Sequence, residues 1–439
     1  MLLYNLRLAV KSLRRHPVLS SLIVAGIALG VAVATTFITV YHVLAKDPLP
    51  GRSQGLHYVR LNSWGGGGGL PSPDWIPSKI TYRDMMALRR SDIPTRQTGS
   101  FSAEMIVRPE GKGTQSRPFE ERARLVFSDF FPMFEVPFLY GAGWDRKADE
   151  RPEAVAVIGA ELNDRLFGGA DSVGKTVRLE GQEFRIVGVL DRWRPPVRYY
   201  DPIDDPIGQE PEQIYLPLQW VGPMEIPSSG SSMTWASNEP DDWMERLPVS
   251  EGLWMEYWVE LPDEARRERF ADFVEGYVAE QHRLGRFQMS QEFRVTPMME
   301  ILEEREVVPP QAKALALISL LFLVVAAVNL VGLFLGKFLS RAPAVGVRRA
   351  LGASRRAIFL QHLVECEMVA LIGGVIGLAM SFGALAFISR NLEEQVPFHL
   401  DAAMIAAALL LSLAAGAIAG IYPSWRICAI PPARHLKNQ

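Results

Sequence analysis

Cysteine is almost missing from this 439-residue sequence, which has only Cys366 and Cys428. Neither falls in the long polar middle of the chain, so that region folds without disulfides and needs a large core of its own. The seven histidines show no metal-ligand spacing and read as ordinary structural residues. Net charge is missing too: 46 Lys and Arg against 49 Asp and Glu leave −3, which excludes nucleic acid as a bulk partner. No serine, cysteine or paired-carboxylate arrangement has the context of a catalytic site. Finally, four long segments carry no Asp, Glu, Lys or Arg at all: 18–41, 314–336, 368–389 and 402–425.

Each of these segments is long enough to cross a hydrocarbon core of about 30 Å as a helix rising about 1.5 Å per residue. A cleaved leader is the rival reading of the first, but its apolar run is longer than a leader's and no small-residue cleavage site follows it. Without ionisable residues inside the runs, ion or proton coupling is disfavoured. The energy source is expected outside the helices. The flanks of the runs are unequal. Arg7, Lys11, Arg14 and Arg15 precede the first, Lys337 to Arg356 is basic, and Arg426, Arg434 and Lys437 follow the last, whereas 391–401 holds Glu393, Glu394 and Asp401. Short basic loops stay cytoplasmic. The expected order is a cytoplasmic amphipathic helix over 1–17, membrane helices over 18–45, 311–340, 359–390 and 402–425, a periplasmic domain over 46–310, a cytoplasmic loop over 341–358, a short periplasmic loop over 391–401 and a cytoplasmic tail over 426–439. The fold class is thus a membrane protein of α+β type, with four transmembrane helices and a large mixed α/β domain inserted between the first two.

Within that domain, 56–61, 101–108, 119–126, 154–159, 176–181, 183–190, 214–218, 254–261 and 287–295 read as strands. Thr81 to Arg90, Ser128 to Phe134 (with Ser128 as N-cap), 160–169 and 263–282 read as helices. The mixed order predicts two α+β lobes, the second, about 135–250, inserted in the first. The glycine run Gly65 to Gly69 reads as a flexible loop. The tryptophans and Phe130, Phe131 and Phe134 can line an apolar site, but core packing is the preferred reading.

Three motifs carry function or its imitation. Residues 169–176, GADSVGKT, fit the GxxxxGK[ST] phosphate-loop pattern with Gly169, Gly174, Lys175 and Thr176. A phosphate loop needs a strand before it and a helix after it. Here a helix precedes and a hairpin follows, so the match is judged false. Each membrane run contains a GxxxG: Gly26/Gly30, Gly332/Gly336, Gly373/Gly377 and Gly416/Gly420. Small residues four apart let helices approach closely, within one chain or between chains. The stretch 341–356, RAPAVGVRRALGASRR, contains five arginines and no carboxylate, and predicts a short helix, Ala344 to Leu351, stopped by Gly352.

The segments LRLAVKSLRRHPVLSSLIVAGIALGVA, VAVIGAELNDRLFGGADSVGKTVRLEGQEFRIVGVL, VGVRRALGASRRAIFLQHLVECEMVALIGGVIG and GIYPSWRICAIPPARHL together resemble the FtsX/MacB family of ABC transporter permeases over nearly the whole chain. The resemblance implies a dimeric permease, homo- or heterodimeric, served by two copies of a separate ATPase that binds ATP and Mg, with no cofactor on this chain. It implies that ATP-driven closure of the membrane helices is passed to the periplasmic domain as mechanical work on a cargo or an adaptor. The family's coupling helix maps onto Ala344, Val345, Gly346, Arg348, Arg349, Ala350, Leu351 and Gly352. One departure stands out: an acidic residue usually precedes the Val345-Gly346-Val347 step, and here Ala344 does. Export or extraction of an amphipathic peptide, lipid-linked molecule or antibiotic is the implied activity. The alternative is a non-transporting regulator of a periplasmic cell-wall hydrolase.

Overall fold

The computed structural model describes residues 8, 12, 17–65, 75–109, 117–204, 206–207, 211–236, 239–391, 398 and 400–429. The expected amphipathic helix over 1–17 lies outside these residues except for Leu8, Ser12 and Pro17, as do Gly66 to Gly69 and the tail from 430. The chain divides into two compact units, Asp47–Val307 and a second built from both chain ends, Met1–Lys46 with Val308–Gln439.

The end-built unit contains helix α1 (Pro17–Ala45) and three later long helices, all long and apolar enough to cross a membrane. In the inserted unit, strands β1 (Leu56–Leu61) and β2 (Ile80–Thr81) lead into helix α2 (Tyr82–Leu88). The Asp84 N–H donates to Thr81 Oγ1, so Thr81 caps the helix from outside its first turn. Strands β3 (Arg96–Arg108), β4 (Phe119–Val126), β5 (Phe138–Gly141) and β6 (Val155–Ile158) come next, then helix α3 (Ala160–Phe167), ended by Gly168 in the left-handed region at φ 68°. Strands β7 (Thr176–Leu179), β8 (Gln182–Leu190), β9 (Ile214–Pro217) and β10 (Leu253–Glu260) precede helix α4 (Glu264–Arg283), strand β11 (Phe293–Pro297) and helix α5 (Met298–Glu304).

Residues 135–250 do not form a sheet of their own. One sheet runs β11-β1-β10-β3-β4-β9-β6-β8-β5, with β7 bridging β3 and β8. The join is β9 lying parallel to β4, Ala123 opposite Ile214 through Val126 opposite Pro217. Both strands are buried there, Arg124 included, and a parallel ladder between segments about 90 residues apart leaves no mark in the local pattern. Three further corrections are local. Ser128 does not cap a helix: its N–H and Oγ both donate to Asp149, each at 2.8 Å, and the helical turn begins at Phe130. The β7–β8 turn falls on Glu180 and Gly181, both at positive φ, one residue earlier than expected. Phe287 has φ 50° and packs into the core, so the last strand starts only at Phe293.

The core of this unit gathers Val59, Phe101, Leu125, Ile158, Ile186, Leu216 and Tyr257 from the sheet, and α4 adds Phe270, Val274 and Val278, four apart on one face. The end-built unit continues with α6 (Pro310–Leu339), α7 (Ala342–Ala350), α8 (Arg355–Asn391) and α9 (Ala402–Ala429). Its core joins Ile27 and Val31 of α1 to Leu323 and Phe334 of α6, Val369 of α8 and Ala415 of α9. Both cysteines are free and buried.

Candidate functional site

The arginine-rich stretch forms α7, which starts two residues before the expected Ala344. Pro343 is accepted because the first turn leaves its N–H groups unbonded in any case. Gly352, at φ 98°, takes the conformation that stops the helix, and the Ala353 N–H returns to the Arg348 carbonyl at 3.0 Å. Ala342 and Val345 are buried, while Ala344, Val347, Arg348 and Leu351 share the opposite, exposed face. Leu351 is 83% exposed and Val347 51%.

The predicted coupling residues therefore divide. Arg348 Nη1 donates to Gln361 Oε1 at 2.7 Å, and Arg349 Nη1 donates to the Cys428 carbonyl in the last turn of α9 at 3.1 Å. Both arginines make bonds within the chain. Gly346 is half-buried, with open space where a Cβ would stand, and Ala350 and Gly352 are exposed.

The phosphate-loop look-alike is a turn between a helix and a strand. Gly169 and Gly174 have positive φ, and Thr176 begins β7. The segment after Lys175 is thus a strand, which cannot aim a row of N–H groups at a phosphate. The Lys175 ammonium lies 5.0 Å from the centre of the Phe167 ring.

The four glycine pairs are not equivalent. A Cβ on Gly30 would meet Leu323 of α6 at 2.9 Å, and one on Gly26 would meet Leu330 at 3.2 Å. On Gly373 it would meet Ile27 at 2.9 Å, and on Gly377 the Ala28 carbonyl at 2.6 Å. On Gly416 it would meet Ala370 at 2.4 Å, and on Gly420 Cys366 at 2.6 Å. These three pairs hold α1, α6, α8 and α9 together. Gly332 and Gly336 have nothing within 4 Å, and both are exposed on α6.

One cluster escaped the sequence. The charge-free runs end at Gly336 and begin again at Met368, but the helices continue past them and bury Lys337 and Glu365 against each other. Lys337 Nζ lies 2.9 Å from Glu365 Oε1 and donates to Ser20 Oγ of α1 at 3.1 Å. Arg341, the N-cap residue of α7, reaches the same carboxylate at 3.5 Å and donates to Ser12 Oγ at 2.5 Å. Ser12 Oγ in turn donates to Glu365 Oε1. His362 Nδ1 lies 3.9 Å from Glu365, its ring against Phe338. A lysine near the end of α6 and a glutamate ten residues into α8, each close to a charge-free run, were the available signal.

A second buried polar cluster lies in the inserted unit. Arg124, fully buried, donates from Nε to Glu212 at 3.0 Å, from Nη1 to Glu256 at 2.7 Å and from Nη2 to Asp201. Arg198 also donates to Glu212, at 3.1 Å, and Lys79 pairs with Asp204. Burial and the neighbouring Asp201 push the Glu256 carboxyl up to about 8. Burial would raise Asp201 and Glu212 as well, but Arg124 and Arg198 more than offset it and hold both below the ordinary carboxylate range. Asp201, Asp204 and Glu256 stand close enough to hold a cation. Arg124 and Lys79 already supply the positive charge there, which makes this a structural ion network. Phe130 and Phe134 are fully buried ring partners, whereas Phe131, Phe138 and Trp144 border an open hollow of about 720 Å³.

Comparison with known proteins covers most of the chain. Residues 20–276 match the MacB-like periplasmic core domain and residues 316–432 the FtsX-like permease C-terminal domain. The macrolide export ATP-binding/permease protein MacB of Bdellovibrio bacteriovorus is 23% identical over 302 residues, 69% of this chain and 41% of that protein. The pyoverdine export ATP-binding/permease protein PvdT of Pseudomonas syringae pv. syringae is 24% identical over 430 residues, 96% and 57% respectively. The chain spans about half the length of these curated relatives. Among solved structures, the periplasmic region of MacB from Actinobacillus actinomycetemcomitans aligns at 13% identity over 60% of this chain and 98% of that one, with a TM-score of 0.36.

Proposed function

The chain belongs to the FtsX/MacB family of ABC transporter permeases, and from that premise we propose that it is a permease subunit that turns ATP hydrolysis on a separate ATPase into movement of its inserted domain. The ATP and Mg are held by the partner, of which two copies serve a permease dimer. Both chain ends and α7 face the cytoplasm, and Asp47–Val307 faces the periplasm of a bacterial inner membrane. The cargo class is amphipathic: a peptide, a lipid-linked molecule or an antibiotic. The names of the relatives, which refer to export of a macrolide and of pyoverdine, support export over regulation.

The observation that carries the reading is the exposed apolar face of α7. Leu351 at 83% and Val347 at 51% exposure stand on a short helix whose arginines are occupied elsewhere. A partner groove that buries these two side chains gains the usual hydrophobic term, about 1.5–3 kcal/mol for each aliphatic side chain fully buried. Arg355 and Arg356, exposed just beyond the helix, offer charge at its rim.

The test is co-purification in mild detergent. Wild type is expected to bring down an ABC ATPase. Val347→Asp with Leu351→Asp is expected to lose at least nine-tenths of it while the chain still inserts and its periplasmic tryptophans keep their emission. Undiminished ATPase in the double variant would remove α7 as the docking face. Capture of a cell-wall hydrolase, with no ATP-driven export of amphipathic compounds from vesicles, would replace export by the regulatory role.

A further inference from the structure

The Lys337–Glu365 cluster lies where three of the four membrane helices, α1, α6 and α8, meet the start of α7. One buried carboxylate is shared by donors from separate chain segments: Lys337 at the end of α6, Arg341 at the cap of α7 and Ser12 ahead of α1. Ser20 of α1 then holds the far side of the lysine. Lys337, Glu365 and His362 are each at least 97% buried, and the Arg341 side chain is 20% exposed. No other carboxylate contacts Lys337 or Arg341 among the described residues. Pulling Lys337 away leaves the buried Glu365 carboxylate without its nearest cation, which is far costlier than breaking an exposed pair. The joint is therefore stiff.

At the carboxyl end of α7 the half-buried Arg349 donates to the Cys428 carbonyl, and Arg348 makes an exposed bond to Gln361. A force applied at Val347 and Leu351 reaches the buried joint through the amino end of α7. Arg341 and Lys337 are four residues apart and grip the same group, so α6 cannot move independently of α8 or α1 at that level.

We propose that Lys337, Arg341 and Glu365 are positioning residues of the coupling step: they lock the cytoplasmic ends of α1, α6 and α8 to α7, so that displacement of α7 moves these helices together. The proposal rests on the permease reading above, and its test separates the two. The full chain is reconstituted in nanodiscs with the ATPase that co-purifies with it. Spin labels are placed at His42→Cys on α1 and Lys313→Cys on α6; the natural cysteines are buried. In Lys337→Met and Glu365→Gln, ATP turnover is expected to stay within twofold of wild type, while the ATP-dependent change in label distance falls at least fivefold. Lys337→Arg, which keeps the charge, is expected to restore it. A purely structural role would lower assembly and turnover together and would not separate movement from turnover.

Hydrogen exchange of the α7 amides, measured on the full chain without any ATPase, reads the joint directly. It is expected to rise at least tenfold in both neutral variants and not in Lys337→Arg. If no ATPase accompanies wild type, the permease reading fails while this measurement still decides the joint. Unchanged exchange together with wild-type label movement in correctly inserted Lys337→Met overturns the proposal, and this variant decides even if Glu365→Gln fails to insert.

Discussion

At the scale of single residues, Glu256 shows how a buried charge network ties the stability of the inserted domain to pH. Arg124, Arg198 and Lys79 face Asp201, Asp204, Glu212 and Glu256, and Arg122 reaches Glu212 only from the rim at 4.0 Å. With more carboxylates than cations in its interior, the cluster is balanced by a proton on Glu256, whose carboxyl rises from 4.5 to about 8. A raised folded-state value means that the native state holds this proton more tightly than the unfolded chain does. The resulting stability is full below pH 4.5 and is lost as pH rises through about 8. Asp201 and Glu212, held low, act in the opposite sense: their contribution is present above the ordinary carboxylate range and is lost on acidification. Nine of the ten tryptophans lie in 47–307, so their emission follows this domain in the full chain. Between pH 6 and pH 8 the stability of the domain is expected to fall by up to about 1.4 kcal/mol per pH unit from this one group, lowering the melting point, and Glu256→Gln should flatten the decline. An unaltered slope would assign the alkaline loss to another group.

At the scale of elements, the membrane helices are held by backbone contacts that glycine alone permits. Gly374 stands where a Cβ would lie 2.4 Å from Ser412 Oγ, and Gly416 where it would lie 2.4 Å from Ala370 Cβ, so α8 and α9 touch along these positions. Gly374→Leu and Gly416→Leu are expected to destabilise the bundle by about 1–3 kcal/mol each through overpacking, whereas Gly332→Leu should leave the melting point of the monomeric protein unchanged. Thermal melting in detergent ranks the three, and equal losses would refute the distinction. The sequence made much of this legible. Long apolar runs declare membrane helices by length alone, and β1 and β4 coincide with the strands read over 56–61 and 119–126, which follow the turn residues Gly55 and Pro118. The features that escaped depend on partners distant in the chain. The β4–β9 ladder, the Ser128–Asp149 pair and the division of α7 into an occupied and a free face arise from packing that no local window records. Lys337 and Glu365 escaped for a different reason: a search for uncharged runs stops at the first charge, even where another helix neutralises it.

At the scale of the whole molecule, α6 bears on how copies of this chain meet. Gly332 and Gly336 have no covering side chain, and Val325, Val328 and Asn329 are exposed on the same side of that helix. An amide within a membrane span is costly unless it finds a hydrogen-bond partner. In a two-fold dimer packed on this face, Asn329 of each copy would meet its counterpart while the glycines would let the backbones close, an isologous contact in which one surface serves both sides. We expect Gly332→Cys to form a disulfide-linked dimer on mild oxidation in the membrane. Cys366 and Cys428 are buried and do not compete. Ile418→Cys, at an exposed position on α9, should not cross-link. Gly332→Leu should shift the complex from dimer to monomer by at least tenfold in single-molecule photobleaching, with Asn329→Leu causing a smaller loss. Equal cross-linking at positions 332 and 418 would mean random collision in the bilayer, and a dimer undisturbed by Gly332→Leu would move the permease interface to another helix.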